Sequence, residues 1–187
     1  MRSRKSPRSS PRSARGAEPI VRPRSLVEAL LRHGVRFVLI GGVAERLLGS
    51  PRTTNDLDIC PATDKRNLAR LAEALNELRA VYRPTGLESG SPTPEPWSAK
   101  SFGAFQALTL VTRYGWLDVV FRPDGTTGYA DLIRRSADAS VSGQTIRVAD
   151  LSDLIRIKEA VGTPEYLAHL PLLYELRDER KRQGIDG

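Results

Sequence analysis

The chain has 187 residues, of which 40% are hydrophobic and 27% charged, a balance that fits one globular domain with a full core and a tail. No apolar run approaches the roughly 20 residues that cross a bilayer, the charged N-terminus lacks the apolar stretch of a secretory signal, and two histidines with one cysteine cannot build a zinc cluster of the usual type. The formal net charge is +7 from 29 basic and 22 acidic groups; residues 1–24 hold eight of the first and one of the second, so 21 of each remain and the rest of the chain is neutral.

Residues 1–24 are rich in Ser, Pro and Arg and offer almost nothing to bury, which predicts a disordered basic tail. Its plainest role is a solvated extension, or a start codon taken too early; an arm for RNA phosphates comes second. A transit peptide is disfavoured, because no apolar helical face is present.

Structure is expected from Ser25 on. "SLVEALLRHG" reads as a helix with Ser25 and Glu28 as a capping box and Gly34 as its stop. "VRFVLI" is a short apolar strand ending at Gly41-Gly42, and "VAERLLG" a short helix after that turn. "DLDIC" is a second strand. Its single cysteine, Cys60, has no internal partner, which fits a reducing cytoplasm and a small core residue. A third helix opens at a Thr63 cap and sets Leu68, Leu71, Ala72, Leu75 and Leu78 on one face.

Residues 84–101 hold four prolines and two glycines and predict a long loop. Trp97 within it reads as an anchor onto the core in preference to a base-stacking platform. "FQALTLVTRYG" and "WLDVVF" predict a strand pair turned at Gly115, "GYADLIRRS" a short helix, and "SVSGQTIRV" a small hairpin. Two helices close the chain, "ADLSDLIRIKEAVG" and "PEYLAHLPLLYELRDERKR", the second with a kink expected near Pro171. The sum is an α/β or α+β protein, with a core over 25–149 and a helical segment over 150–187.

The chemistry begins with Asp56 and Asp58. Positions i and i+2 of a strand share a face, so Leu57 and Ile59 turn to the core and the two carboxylates crowd together. Such a pair can hold a hard divalent cation such as Mg²⁺; a solvated edge with two chance acids is the plainer possibility. Asp118 weighs against chance. It is the lone acid in "GWLDVVF", where a carboxylate is costly unless paired or bound to a cation. Three converging acids support two metal ions about 4 Å apart, the arrangement for in-line phosphoryl or nucleotidyl displacement. Gly41 and Gly42, opening a helix, offer bare backbone N–H groups to phosphate, although any tight strand-to-helix turn uses glycine.

The run "GGVAERLLGSPRTTNDLDI" with the later "LDVVF" resembles the polymerase-β-type nucleotidyltransferase superfamily. Gly42 stands where serine is more common. The spelling Arg52, Thr54, Asp56, Asp58 is similar to the AbiEii and MenT-type toxins of bacterial toxin–antitoxin systems, and the likeness runs from about residue 26 to 176. It implies a mixed central sheet flanked by helices. It also implies two Mg²⁺ ions on Asp56, Asp58 and Asp118, and an NTP substrate contacted by Gly41, Gly42, Arg52, Thr54 and Lys158. The expected activity is transfer of a nucleoside monophosphate to an acceptor hydroxyl, with the 3′ end of tRNA as acceptor, growth arrest as outcome and a cognate antitoxin as partner. Protein or aminoglycoside-like acceptors are the alternative, and an inactive binding or antitoxin-like module a third. Lys158 on a solvated helix face is its plainer reading. Thr163 stands where relatives carry arginine, and Tyr166 and His169 where they carry aspartates. Both His33 and His169 read as surface residues.

Overall fold

The computed structural model describes residues 22–83, 96–103, 105–141 and 143–185. One seven-stranded mixed sheet forms its centre. The strands are β1 (Phe37–Ile40), β2 (Asp56–Pro61), β3 (Val81–Tyr82), β4 (Ala107–Thr112), β5 (Gly115–Val120), β6 (Ala137–Val141) and β7 (Gln144–Val148), in the order β3-β4-β5-β2-β1-β7-β6. The helices are α1 (Pro23–Arg32), α2 (Gly41–Leu47), α3 (Lys65–Glu77), α4 (Tyr129–Leu132), α5 (Leu151–Val161) and α6 (Pro164–Arg182). Among the described residues no helix is long and apolar enough to cross a membrane.

The central strands show why the pattern reads as it does. All four residues of β1 are buried, because elements cover both faces of the sheet there. In β2 the alternate residues Leu57 and Ile59 are fully buried in the main core with Cys60, while Asp56 and Asp58 are half-buried on the other face. Two parallel pairings, β2 with β5 and β1 with β7, interrupt an otherwise antiparallel ladder. Asn67, buried on α3, seals one end: it accepts from the Arg36 amide at 2.7 Å and donates to the Arg36 and Ala62 carbonyls at 3.0 and 2.7 Å. A buried side-chain amide bonded this fully offsets its own desolvation.

Several boundaries differ from expectation. Helix α1 opens at Pro23 rather than after Ser25, and no side chain caps it. Proline suits the first helical position because its missing N–H has no intrahelical partner there in any case. Glu28 consequently pairs with Arg24, 3.2 Å away. Residues 1–21 of the expected tail lie outside the described residues. The cap of α3 is Asp64, not Thr63; its carboxylate accepts from the Asn67 amide at 3.1 Å. Leu71, Ala72, Leu75 and Leu78 are buried as predicted, but Leu68 only partly so. Strand β3 and a 3₁₀ turn over Ala99–Phe102 carry no periodicity that sequence could reveal. Helix α6 continues through Pro171 as one element.

Of the long loop, residues 84–95 lie outside the described residues. Trp97 is an anchor: its indole N–H donates to the Ala80 carbonyl at 2.8 Å and its ring stacks on Phe102, 5.8 Å between centroids. His33 is not a free surface group, since Nε2 lies 2.7 Å from Glu77 on α3, a partner 44 residues away.

Candidate functional site

The parallel pairing of β2 with β5 puts Asp58 and Asp118 opposite each other as Cα partners, with Asp56 opposite Trp116. One oxygen from each of Asp56, Asp58 and Asp118 lies within 4.8 Å of the others. Asp58 and Asp118 are sixty residues apart in sequence, and the strand register joins them. Burial, reinforced by the charges of Asp56 and Asp118, pushes the Asp58 carboxyl well above the usual range. Burial and then Asp56 push Asp118 up to about 6. Asp118 Oδ1 is buried with no hydrogen-bond partner among the described residues. An orphaned carboxylate oxygen facing two more acids fits a hard divalent cation, which takes oxygen ligands and offsets the repulsion.

The glycine turn is shaped by these acids. Gly41 has φ +66, and a side chain there would stand 2.8 Å from Asp58 Cβ and closer still to its carboxylate. Glycine is therefore needed twice, for the backbone and for the space. Gly42 has an ordinary φ, but a Cβ on it would lie 2.6 Å from Thr54 Cβ and 2.7 Å from Thr54 Oγ1. Thr54 in turn donates its hydroxyl to Asp56 Oδ1.

Lys158 is not on a solvated face. It is 5% exposed, and its ammonium lies 3.0 Å from Oε1 of Glu45 on α2, itself 1% exposed. The Tyr166 ring sits over it, 4.3 Å from Nζ to the centroid. Burial, with the nearby acids second, raises the Tyr166 phenol. Arg52 pairs with Glu165 on α6 at 3.1 Å rather than with the three acids. His169 is half-buried, its Nδ1 has no partner among the described residues, and burial followed by Arg52 lowers its pKa.

Two cavities meet at this place. A polar one of about 330 Å³ is lined by Gly41, Gly42, Arg52, Thr54, all three acids and Lys158. All eight residues singled out from sequence line it. A second of about 240 Å³ shares Gly41, Asp58, Lys158 and Tyr166, and its remaining walls are largely aliphatic, from Ile40, Val120, Leu154, Ile157 and Val161. Glu45 lines this second cavity and was not expected. A glutamate in a short helix reads as solvated, but here α2 packs on β1, β2 and α5, and α5 sets Lys158 against it.

No family model matches the sequence, and neither does any curated protein. Among solved structures, the lincosamide antibiotic adenylyltransferase LnuA is similar with a TM-score of 0.55 at 12% identity, over 85% of this chain and 99% of that one. The antibiotic-resistance factor ANT(2'')-Ia is similar with a TM-score of 0.46 at 16% identity, over 86% and 91% of the two chains. The likeness to the first of these shows a shared fold, a mixed central sheet flanked by helices with a helical C-terminal part.

Proposed function

We propose that the protein is a divalent-metal-dependent nucleotidyltransferase that moves a nucleoside monophosphate from an NTP to an acceptor hydroxyl. The observation that carries this is the meeting of three carboxylates within 4.8 Å beside a glycine turn and a buried lysine. One or two Mg²⁺ ions held by Asp56, Asp58 and Asp118 would supply the positive charge against which a triphosphate is bound and split. The chain's own groups do the rest. Gly41 and Gly42 let the triphosphate approach the backbone closely. Lys158 meets it as a point charge from the helical side. Thr54 holds Asp56 by its hydroxyl. Arg52 lines the same cavity and is available to phosphate once it leaves Glu165. The acceptor oxygen forms a bond to the α-phosphorus, the bond to pyrophosphate breaks, and Asp118 Oδ1 takes the acceptor proton.

For the acceptor, the toxin-like spelling around Arg52 and Thr54 supports the 3′ end of tRNA, with growth arrest and a neutralising antitoxin. The aliphatic cavity beside Asp58 favours a second reading, a small-molecule acceptor, as the name of LnuA suggests for that enzyme. The test is incubation with Mg²⁺, each labelled NTP and either total tRNA or a panel of hydroxyl-bearing small molecules such as aminoglycosides and lincosamides, wild type against Asp56→Ala/Asp58→Ala. Label in tRNA from wild type alone is expected. Label in a small molecule selects the second reading, and equal blanks from both proteins defeat the enzyme.

A further inference from the structure

Glu45 lies outside the acid cluster, and although it falls within the run that carries the resemblance, no role attaches to it there. It is nevertheless among the most buried charges of the described residues, at 1% exposure. Its Oε1 stands 3.0 Å from Lys158 Nζ, yet neither of its oxygens accepts an aligned hydrogen bond. The contact is charge against charge. A carboxylate with spare acceptor capacity in an aliphatic wall is costly, and removing its one partner would cost more. Hydrophobic replacement is usually cheaper than a buried pair, so a pair kept here calls for a role.

The neighbours of Lys158 suggest it. Glu45, Asp58 and Lys158 all line the aliphatic cavity, and Lys158 also lines the polar cavity with Asp56, Asp58 and Asp118. One buried ammonium therefore stands between two sets of carboxylates: Glu45 on α2 and the acid cluster on β2 and β5. An ammonium released from Glu45 would move onto Asp58, which already feels the charge of Lys158 and carries the repulsion of Asp56 and Asp118. There it would occupy the charge that a divalent cation needs.

We infer that Glu45 is a positioning residue: it holds the Lys158 ammonium at the wall between the two cavities and keeps it off Asp58, leaving the acid cluster open to a metal ion. This rests on the proposal that the three acids bind a divalent cation, and it assigns to Glu45 a share in metal affinity without any contact to the metal.

The experiment titrates Mn²⁺ into the full chain, following the loss of the free-ion signal by electron paramagnetic resonance, with no nucleotide present. Glu45→Gln is expected to weaken Mn²⁺ by about five- to tenfold, because the freed ammonium competes at Asp58. Glu45→Gln/Lys158→Met replaces the pair with neutral groups of similar size and is expected to bind Mn²⁺ within about twofold of wild type. That rescue by removing Lys158 is what a merely structural Glu45 would not give. Unchanged affinity in Glu45→Gln, or a double variant as weak as the single, overturns the inference while leaving the metal site intact. Absence of binding in wild type defeats the metal site itself and the inference with it. Should Glu45→Gln fail to fold, Glu45→Asp stands in: its shorter arm draws the ammonium away from Asp58, so affinity at or slightly above wild type is expected, and a loss like that predicted for Gln overturns the idea.

Discussion

Asp58 and Asp118 face each other across two parallel strands as register partners. Both carboxyls are pushed up, Asp58 by burial and by the charges of Asp56 and Asp118, and Asp118 by burial and then Asp56, to about 6. Asp118→Asn removes one of the charges. An upward shift of about two units corresponds to a penalty of roughly 1–3 kcal/mol at neutral pH. Asp118→Asn is therefore expected to melt roughly 3–8 °C higher than wild type in chelator at pH 7.5. The same variant should lose the stabilisation that Mg²⁺ gives wild type, and nucleotidyl transfer should drop by about 10²-fold or more. A melting temperature below wild type would contradict the repulsion.

The pH dependence follows with a definite sign. A carboxyl whose folded pKa is raised keeps its proton longer in the folded state. Its contribution to stability is full below about pH 4 and is lost as the pH rises through about 6. His169 works the other way over this range, because its pKa is lowered and its contribution fades as the pH falls. The carboxyls held low by partners, Asp64, Glu77 and Asp131, lose their contribution only below the usual carboxylate range. Comparison with Asp118→Asn isolates the acid. The gap in melting temperature between variant and wild type should be widest at pH 7.5 and narrow as the pH falls to 5, read by thermal melts in chelator. A gap independent of pH would mean that Asp118 does not titrate in that window.

Gly42 and Thr54 make a compensated pair. The resemblance places a serine more often at 42, and here the Thr54 side chain fills the space a Cβ would need, 2.6 Å away. Gly42→Ser alone should displace Thr54 from Asp56 and cut activity by about tenfold or more. Adding Thr54→Gly removes the Cβ as well as the hydroxyl and methyl that stand in the way, so the double variant should recover the part of the loss that the clash causes, and not the part owed to the hydroxyl on Asp56. Steady-state turnover of the three proteins decides it; additive losses would show that the two sites are independent.

How much of this was legible depended on the range of the interaction. The alternation Asp56-Leu57-Asp58-Ile59 announced a strand with its acids on one face, because a period of two is a local property. The lone acid of β5 stood out for the same reason. What sequence could not give was the register that sets Asp118 against Asp58, nor the packing of α5 on α2 that buries Lys158 against Glu45. Lys158 was expected to contact nucleotide phosphates, with a solvated face as the plainer possibility, and Glu45 carried no expectation. Arg52 was expected near the acids or a triphosphate, and its ion pair with Glu165 depends on where α6 docks. The misplaced caps, Ser25 where the N-cap position is Arg22 and Thr63 where it is Asp64, are errors of three residues and of one among neighbouring residues at a helix start.

The helix carrying Lys158 is itself fixed by a buried charge. Asp153 is fully buried on α5 and accepts from Arg135 and, at 2.8 Å, from Arg156. Arg156 reaches on to Asp131 of α4 at 2.9 Å. Two guanidiniums on one carboxylate thus tie α4 to the helix that presents Lys158 to the cavities. Asp153→Ala removes the buried partner of two guanidiniums that are 54% and 36% exposed and can rehydrate, and should cost about 2–3 kcal/mol. Asp150→Ala, which removes only the cap that accepts from the Ser152 amide at 2.8 Å, should cost about 1 kcal/mol. Urea unfolding of the two variants measures both. Equal costs would mean that the Asp153 cluster adds nothing beyond a helix cap, and that α5 is held by its apolar face alone.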